Sequence, residues 1–526
     1  MMANDRGTRA VLGIDVGTGS ARAGVFDLAG TLLGVGKHDI RLHPGPGGIA
    51  EHESADIWAA VCAASRAATG AAGAVEIIGI GVDAACSLVV EGQQISDGGS
   101  PARDVIVWMD HRATVEAEEI NAGGHAVLDY VGGRISPEMQ TPKLLWLSRY
   151  RPDAFANAPH FMDLADWLTC RMTGSTARSA CTVTCKWTYL AHENRWDADY
   201  FRTIGLGTLA DEGFARIGTD IRTPGSLIAP LADTSARAMG LAPGIPVAAG
   251  LIDAHAGGIG TLGAADGPGS AATRLAYVFG TSACTMTSNP SPVTVPGVWG
   301  PYYDAMLPGM WLNEGGQSAA GAGLDQLVRM HPAYPDIAAR EGDVLGYLTQ
   351  QALATGDAAT LAQQIGPLIV VPDFNGNRAP LADPSARAIV AGLGMERDER
   401  SLMHLFVAGL AGLGYSLRQI IEAQTARGLC TDAIVISGGA GANPLARQLL
   451  ADITGLDVLV PATSEPVLLG AAMLGAVTGG AAPDLPNAMN TLSRFDTRHP
   501  PDPASKPLHD QAHARFQALH AANRLT

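Results

Sequence analysis

Lysine is scarce: the 526 residues hold four, Lys37, Lys143, Lys186 and Lys506. None follows a GxxxxG string, so the phosphate-cradling Walker loop is absent. None sits in a VAIK-like strand, which argues against a protein kinase. A nucleotide site in this chain has to be built another way. Acidic residues outnumber basic ones 51 to 35, and the resulting charge of −16 sets aside nucleic acid and anionic membrane as partners. An anionic ligand stays open where main-chain N–H groups and a cation do the binding. The seven cysteines (Cys62, Cys86, Cys170, Cys181, Cys185, Cys284 and Cys430) are scattered and complete no zinc pattern with histidine. They read as reduced packing residues of a cytoplasmic protein. MMANDRGTRA has no apolar leader segment, so no signal peptide is expected. The most apolar glycine-rich run, IPVAAGLIDAHAGGIGTLGAA, is broken by Asp253 and His255 and does not read as a membrane span.

What is abundant is small and apolar. The chain is 47% hydrophobic and 16% charged with 64 glycines, a composition that fits an α/β enzyme of roughly two to four domains. Residues 10–27, AVLGIDVGTGSARAGVFD, read as strand, Gly-Thr-Gly turn and strand. The turn suits an anion, yet Asp15 at its lip would repel a phosphate unless a metal sat between them. AYVFGTSACTMTS (276–288) echoes this hairpin and implies two related domains. A dinucleotide fold fits less well, because a strand and not a helix follows Gly19.

TLLGVGKHDI predicts a third strand, Ser54 a helix cap, and EIIGIGVDAACSLVV a buried strand reaching a turn at Asp83. The aromatic and charged loops of 104–200 are expected to line a pocket. SLMHLFVAGLAGLGYSLRQIIEAQTARG predicts a long helix stopped by Gly428. AIVISGGAGANPLARQLLADITG then reads as strand, Gly-Gly turn and helix, followed by strand DVLVP and a small-residue helix opening at Ser464. The segment after about 480 is expected to wrap the surface as a tail.

In GLIDAHAGG (250–258), Asp253 ends an apolar strand among small residues. It can project into a cleft or cap the following helix, and the glycine pair that follows favours the cleft. His255 reads as a supporting residue. The turns at 17–19, 280–282 and 438–441 together fit a nucleotide clamped between two domains.

DVGTGSARAGVFD, WMDHRA, KLLWL, LIDAHAGG, GTS and SGGAGANPLARQLLADITG resemble, in order, the FGGY family of carbohydrate kinases over roughly 10–480. GVDAACS, ARSACTVTCKWTYL and WLNEGGQS are similar to its pentulose-kinase branch, the D-ribulokinases most of all. The resemblance implies two ribonuclease-H-like domains around a cleft, the actin-like ATPase arrangement. Their expected extents are 8–252, carrying sugar and the first phosphate hairpin, and 253–482, carrying nucleotide, with 483–526 as the tail. It implies ATP and Mg²⁺, with Asp15 holding the metal through water. Gly17, Thr18 and Gly19 would face Gly280, Thr281 and Ser282 across the phosphates, while Gly438, Gly439 and Asn443 take the adenosine end. Asp253 would be the base that deprotonates the sugar's terminal hydroxyl.

For the sugar, the resemblance matches Ala85, Lys186 and Glu314, and Cys86, Asp110 and Glu138 are further candidates for the wall. Arg112 reads as Asp110's structural partner. Glu138 and Gln140 depart from the family signature, and Ala85-Cys86 stands where a glycerol site shows Arg-Glu, so a larger polyhydroxylated ketose is favoured. The expected reaction is D-ribulose to D-ribulose 5-phosphate. L-ribulose, ribitol or xylulose stay open, as does a non-catalytic actin-like ATPase. The resemblance also leaves a homodimer open and implies domain closure around sugar.

Overall fold

Thr8–Val16, buried and mostly apolar from Ala10 onward, forms the strand on which the first half is built. It pairs antiparallel with Ser20–Asp27, which pairs antiparallel with Leu32–Asp39. The helix Ser54–Ala72 then returns the chain so that Val75–Ala84 lies parallel to the first strand on its free side. The second half repeats this order. Arg274–Phe279 pairs antiparallel with Ala283–Asn289, that with Trp311–Gln317, and Ala433–Ser437 lies parallel to Arg274–Phe279. The echo between the two hairpins is therefore a repeat of a whole four-strand unit, and each unit extends to a seven-stranded sheet. The computed structural model describes residues 8–96 and 102–522. The segment 1–7, part of the stretch read as lacking a leader, and 523–526 of the expected tail lie outside the described residues.

Two helices tie the sheets together. Asp253–Leu262 follows the short strand Leu251–Ile252, and Pro466–Thr478 packs across it while covering Thr8–Val16 and Val75–Ala84. A helix late in sequence thus lies on the first sheet. The expected division at 252/253 follows chain order, and this helix crosses it. Close approach explains the small residues here. A Cβ at Gly260 would overlap the Pro466 carbonyl oxygen, and one at Gly470 would overlap that of Ala256. Among the described residues no helix is long and apolar enough to cross a membrane.

Four expectations shift. Ser54 is the first helical residue, with Glu53 at the cap position, and its hydroxyl and N–H both go to Asp104 at 2.6 and 2.8 Å. Asp83 lies inside its strand, one residue before the end. Trp167, Trp187 and Trp196 of the 104–200 region are buried in the core. The segment after 480 is no loose wrap: Phe495–His499 forms the edge strand beside Asp457–Pro461, and helix Lys506–Ala522 packs on the second core. Its buried stripe, His509, His513, Phe516 and His520, has helical spacing but is mostly histidine, so it reads as polar. Phe516 is fully buried, with its ring 5.9 Å from Tyr415. Phe516→Ala is expected to cost about 3–5 kcal/mol, seen as a lower urea midpoint.

Candidate active site

Three neighbouring parallel strands each deliver an aspartate at the carboxyl end of the first sheet. Asp15 is in register with Asp83, and Asp83 with Leu251, two residues before Asp253. The crevice beyond the carboxyl ends of parallel strands is where α/β sheets bind ligands. Asp83 is fully buried, and among the described residues neither carboxylate oxygen has a hydrogen-bond partner. Burial, and then the charges of Asp15 and Asp253, push its carboxyl well above the usual range. Burial likewise raises Asp15, against the pull of Arg22, which pairs with it and reaches Glu465 at 2.8 Å.

These carboxylates suit a hydrated divalent cation. Among the described residues no set of three or more His, Cys, Asp or Glu side chains encloses a metal. Mg²⁺ does not require one, since it keeps several waters and binds through one or two carboxylates plus phosphate oxygens. The partnerless oxygens of Asp83 beside Asp15 fit that role.

Asp253 stands at the strand-to-helix junction and is half-buried, with Oδ1 accepting from the Ala254 N–H at 2.8 Å. Burial, then the Asp15 charge, raise its carboxyl to about 6. A carboxylate acting as a base must be ionised, so a proton transfer to Asp253 predicts that kcat/KM climbs with pH through about 6 and levels off above it. Asp253→Asn should abolish that limb of the profile.

One cavity of about 700 Å³ gathers most of the expected residues. Asp15, Gly17, Thr18 and Ser282 line its phosphate side, and Ala85, Cys86, Glu138, Lys186 and Glu314 line the rest around Asp253. Thr18 is fixed by the Trp108 indole, whose Nε1 donates to Oγ1 at 2.9 Å. Gln140 holds the turn from behind, donating to the Cys86 carbonyl at 2.9 Å. Lys186 lies in helix Ala180–Trp187 with Nζ 5.2 Å from the centre of the Trp299 ring. Burial favours the neutral acid at Glu314, but a His255 hydrogen bond and the Lys186 charge outweigh it and hold the carboxyl at about 2. His255 Nε2 is 3.5 Å from Glu314 and Nδ1 is 3.1 Å from Cys181 Sγ. Burial works against a charged His255, yet Cys181 and Glu314 push it up to about 10. The imidazolium thus buttresses Glu314, the supporting role read from its position.

A second cavity of about 920 Å³ adjoins the other face of the 280–282 turn. Gly280, Thr281, Gly439 and Asn443 line it, whereas Ser282 faces the first cavity. The turn is therefore a shared wall, and a ligand reaching from one cavity to the other passes over it. The turn is braced by the N–H groups of Ala320, Gly321 and Ala322, which bond the carbonyls of Thr281 and Gly280 at 2.9–3.1 Å. The Asn443 amide is already committed: Oδ1 caps helix Pro444–Thr454 and Nδ2 donates to Thr349 at 2.8 Å.

Some expected residues lie apart. Asp110 is corrected: it is fully buried, and Arg112 and the Ala50 N–H occupy both its oxygens at 2.7–2.9 Å. Arg112 also reaches Glu51 at 2.8 Å, so the pair locks a loop and leaves no oxygen for a sugar. Gly19 and Gly438 complete their turns and line neither cavity. The cysteines are free; Cys86 and Cys284 line the first cavity and Cys181 touches His255.

Asp83, Arg22, Trp299, Arg378 and Glu465 also belong to the site and were not singled out. For Asp83 a local signal exists, since GIDV, GVDA and LIDA repeat one pattern at three strand ends. Arg22 is local too, standing directly across the first hairpin from Asp15, and the others are brought in by tertiary packing.

Comparison with known proteins shows the family. The model for the N-terminal domain of the FGGY family of carbohydrate kinases matches residues 10–260, and that for the C-terminal domain matches 275–479. A human FGGY carbohydrate kinase domain-containing protein is 41% identical, with 97% of this chain and 96% of the relative covered. The D-ribulokinase of Saccharomyces cerevisiae is 35% identical over 88% of this chain and 71% of its own. The crystal structure of xylulose kinase from Rhodospirillum rubrum superposes with a TM-score of 0.81 at 22% identity, covering 98% of this chain and 99% of that one. The fold is thus the actin-like, two-domain α/β arrangement, and the chain belongs to the FGGY family of carbohydrate kinases.

Proposed function

We propose that this carbohydrate kinase transfers the γ-phosphoryl group of ATP to the terminal hydroxyl of a pentulose, D-ribulose first among the candidates. The observation that carries the reading is the position of Asp253. It lines the same cavity as both phosphate hairpins and the Lys186–Glu314 corner, with its carboxyl raised to about 6. The yeast relative named a D-ribulokinase supports the choice of pentulose.

In this reading the triphosphate runs over the 280–282 turn, with adenosine in the second cavity and the γ-phosphate between Thr18 and Ser282. Asp15, backed by Asp83, would hold Mg²⁺, which neutralises phosphate charge when bound. Lys186 and Glu314 orient the sugar so that its terminal hydroxyl lies against Asp253. Asp253 takes the proton as the oxygen attacks phosphorus in line, and ADP leaves. The alternatives on the same scaffold are L-ribulose, xylulose and ribitol.

The test is ADP release by purified protein given MgATP and each of these compounds. D-Ribulose should give the highest kcat/KM. A protein silent with D-ribulose and fast with another pentulose or a pentitol would refute the choice of substrate.

A further inference from the structure

The corner of the cavity away from Asp15 carries more donors than the protein uses. Arg378 lines it from the 372–383 loop of the second half. Its one protein hydrogen bond among the described residues is a long one, from Nη1 to Cys284 Sγ at 3.6 Å, and its guanidinium stands 5.7 Å from the Trp299 ring centre. Lys186 Nζ faces the same ring and makes no hydrogen bond among the described residues. Arginine and lysine are donors only. Trp299, whose ring both cations face, is in register with Glu314, so Arg378 belongs to the Lys186–Glu314 corner. With the terminal hydroxyl against Asp253, that corner is left to the end of the sugar that does not receive phosphate.

The loop backbone that carries this side chain is braced. Asn377 and Asp383 exchange backbone hydrogen bonds at 2.8 Å. The Asn377 amide joins Asp373 and the Leu381 N–H, each at 3.0 Å. His520 of the C-terminal helix reaches in to 2.9 Å from Asp373. A side chain carried on a braced loop has only its own rotamers to order when it binds.

We propose that Arg378 is a substrate-contacting residue that reads the hydroxyketone end of an open-chain ketopentose, donating to the C2 carbonyl oxygen and the C1 oxygen together. A carbonyl oxygen only accepts, and it can lie in one plane with the neighbouring C1 oxygen, so it matches a planar, donor-only fork. A pentitol has a tetrahedral C2 whose hydroxyl is not held coplanar with the C1 oxygen as a carbonyl can be, and its proton must compete with that of the C1 hydroxyl for the Glu314 carboxylate. The inference rests on the pentulose reading above and assigns the residue that separates a ketose from its polyol.

The test compares wild type with Arg378→Gln and Arg378→Lys, using D-ribulose as substrate and ribitol as competing ligand. Arg378→Gln should lower kcat/KM for D-ribulose by roughly 10- to 100-fold, mainly through KM, and change the ribitol inhibition constant by less than about threefold. Arg378→Lys keeps the charge but loses the fork, so it should recover only part of the loss. If Arg378→Gln melts below wild type, Arg378→Lys carries the same comparison. D-Ribulose constants within about threefold of wild type, or an equal loss for ribitol, would overturn the assignment. A wild-type enzyme that phosphorylates no pentulose refutes the function proposed above instead.

Discussion

Asp253→Asn is expected to slow phosphoryl transfer by roughly 10²–10⁴-fold, the usual contribution of a general base. Nucleotide and sugar affinities should stay within a few-fold. The substitution is nearly isosteric, and the Asn Oδ1 can still accept the Ala254 N–H that now bonds Asp253 at 2.8 Å. It removes the charge, and with it the proton acceptor. It also relieves the repulsion among the three carboxylates at positions 15, 83 and 253, so folding stability should hold or rise. A fall in kcat with unchanged ADP binding, measured by calorimetry, separates a lost base from a collapsed site. Equal losses in kcat and ADP affinity would place Asp253 in nucleotide binding.

The second large effect lies away from the chemistry. Gly260→Ala should cost about 3 kcal/mol of stability and roughly a hundredfold in kcat. The added methyl would overlap the Pro466 carbonyl, and backbone cannot swing aside as a side chain can. The helix that gives way is the one Asp253 begins, and a displacement of about 1 Å at reacting groups is worth some 10²-fold. Gly70→Ala is the control, because that glycine lies within helix Ser54–Ala72 with open space around it. It should stabilise by about 0.5–1 kcal/mol. A urea midpoint and a kcat for each variant suffice, and an unperturbed Gly260→Ala would mean the two helices do not bear on one another.

What could be read before the fold was known is local. Asp15 and Asp253 each end an apolar run beside small residues, and the 17–19 and 280–282 turns are short hairpin signals. Strand periodicity and turn chemistry place all of them without tertiary information. Asp83 was equally local, but its strand runs one residue past it, so it read as a turn. Arg378, Trp299 and Glu465 come from a loop, a strand start and a helix cap far apart in sequence, and only tertiary packing brings them to one cavity. Asp110 misled because a charged loop residue beside an aromatic looks exposed, whereas Arg112 pairs with it and with Glu51 and all three are buried together. The C-terminal helix was hidden for a related reason: its buried stripe is written mostly in histidine, which hydropathy counts as polar.

The central claim is that a cleft between two like-folded halves passes phosphate to a primary hydroxyl of a ketopentose. Phosphorus NMR of the wild-type enzyme with ATP, Mg²⁺ and D-ribulose tests it most directly. The account predicts a phosphomonoester signal, split by the two protons of a single CH₂ group, that grows in step with ADP. Inorganic phosphate appearing alone, at a rate indifferent to the sugar, would contradict it.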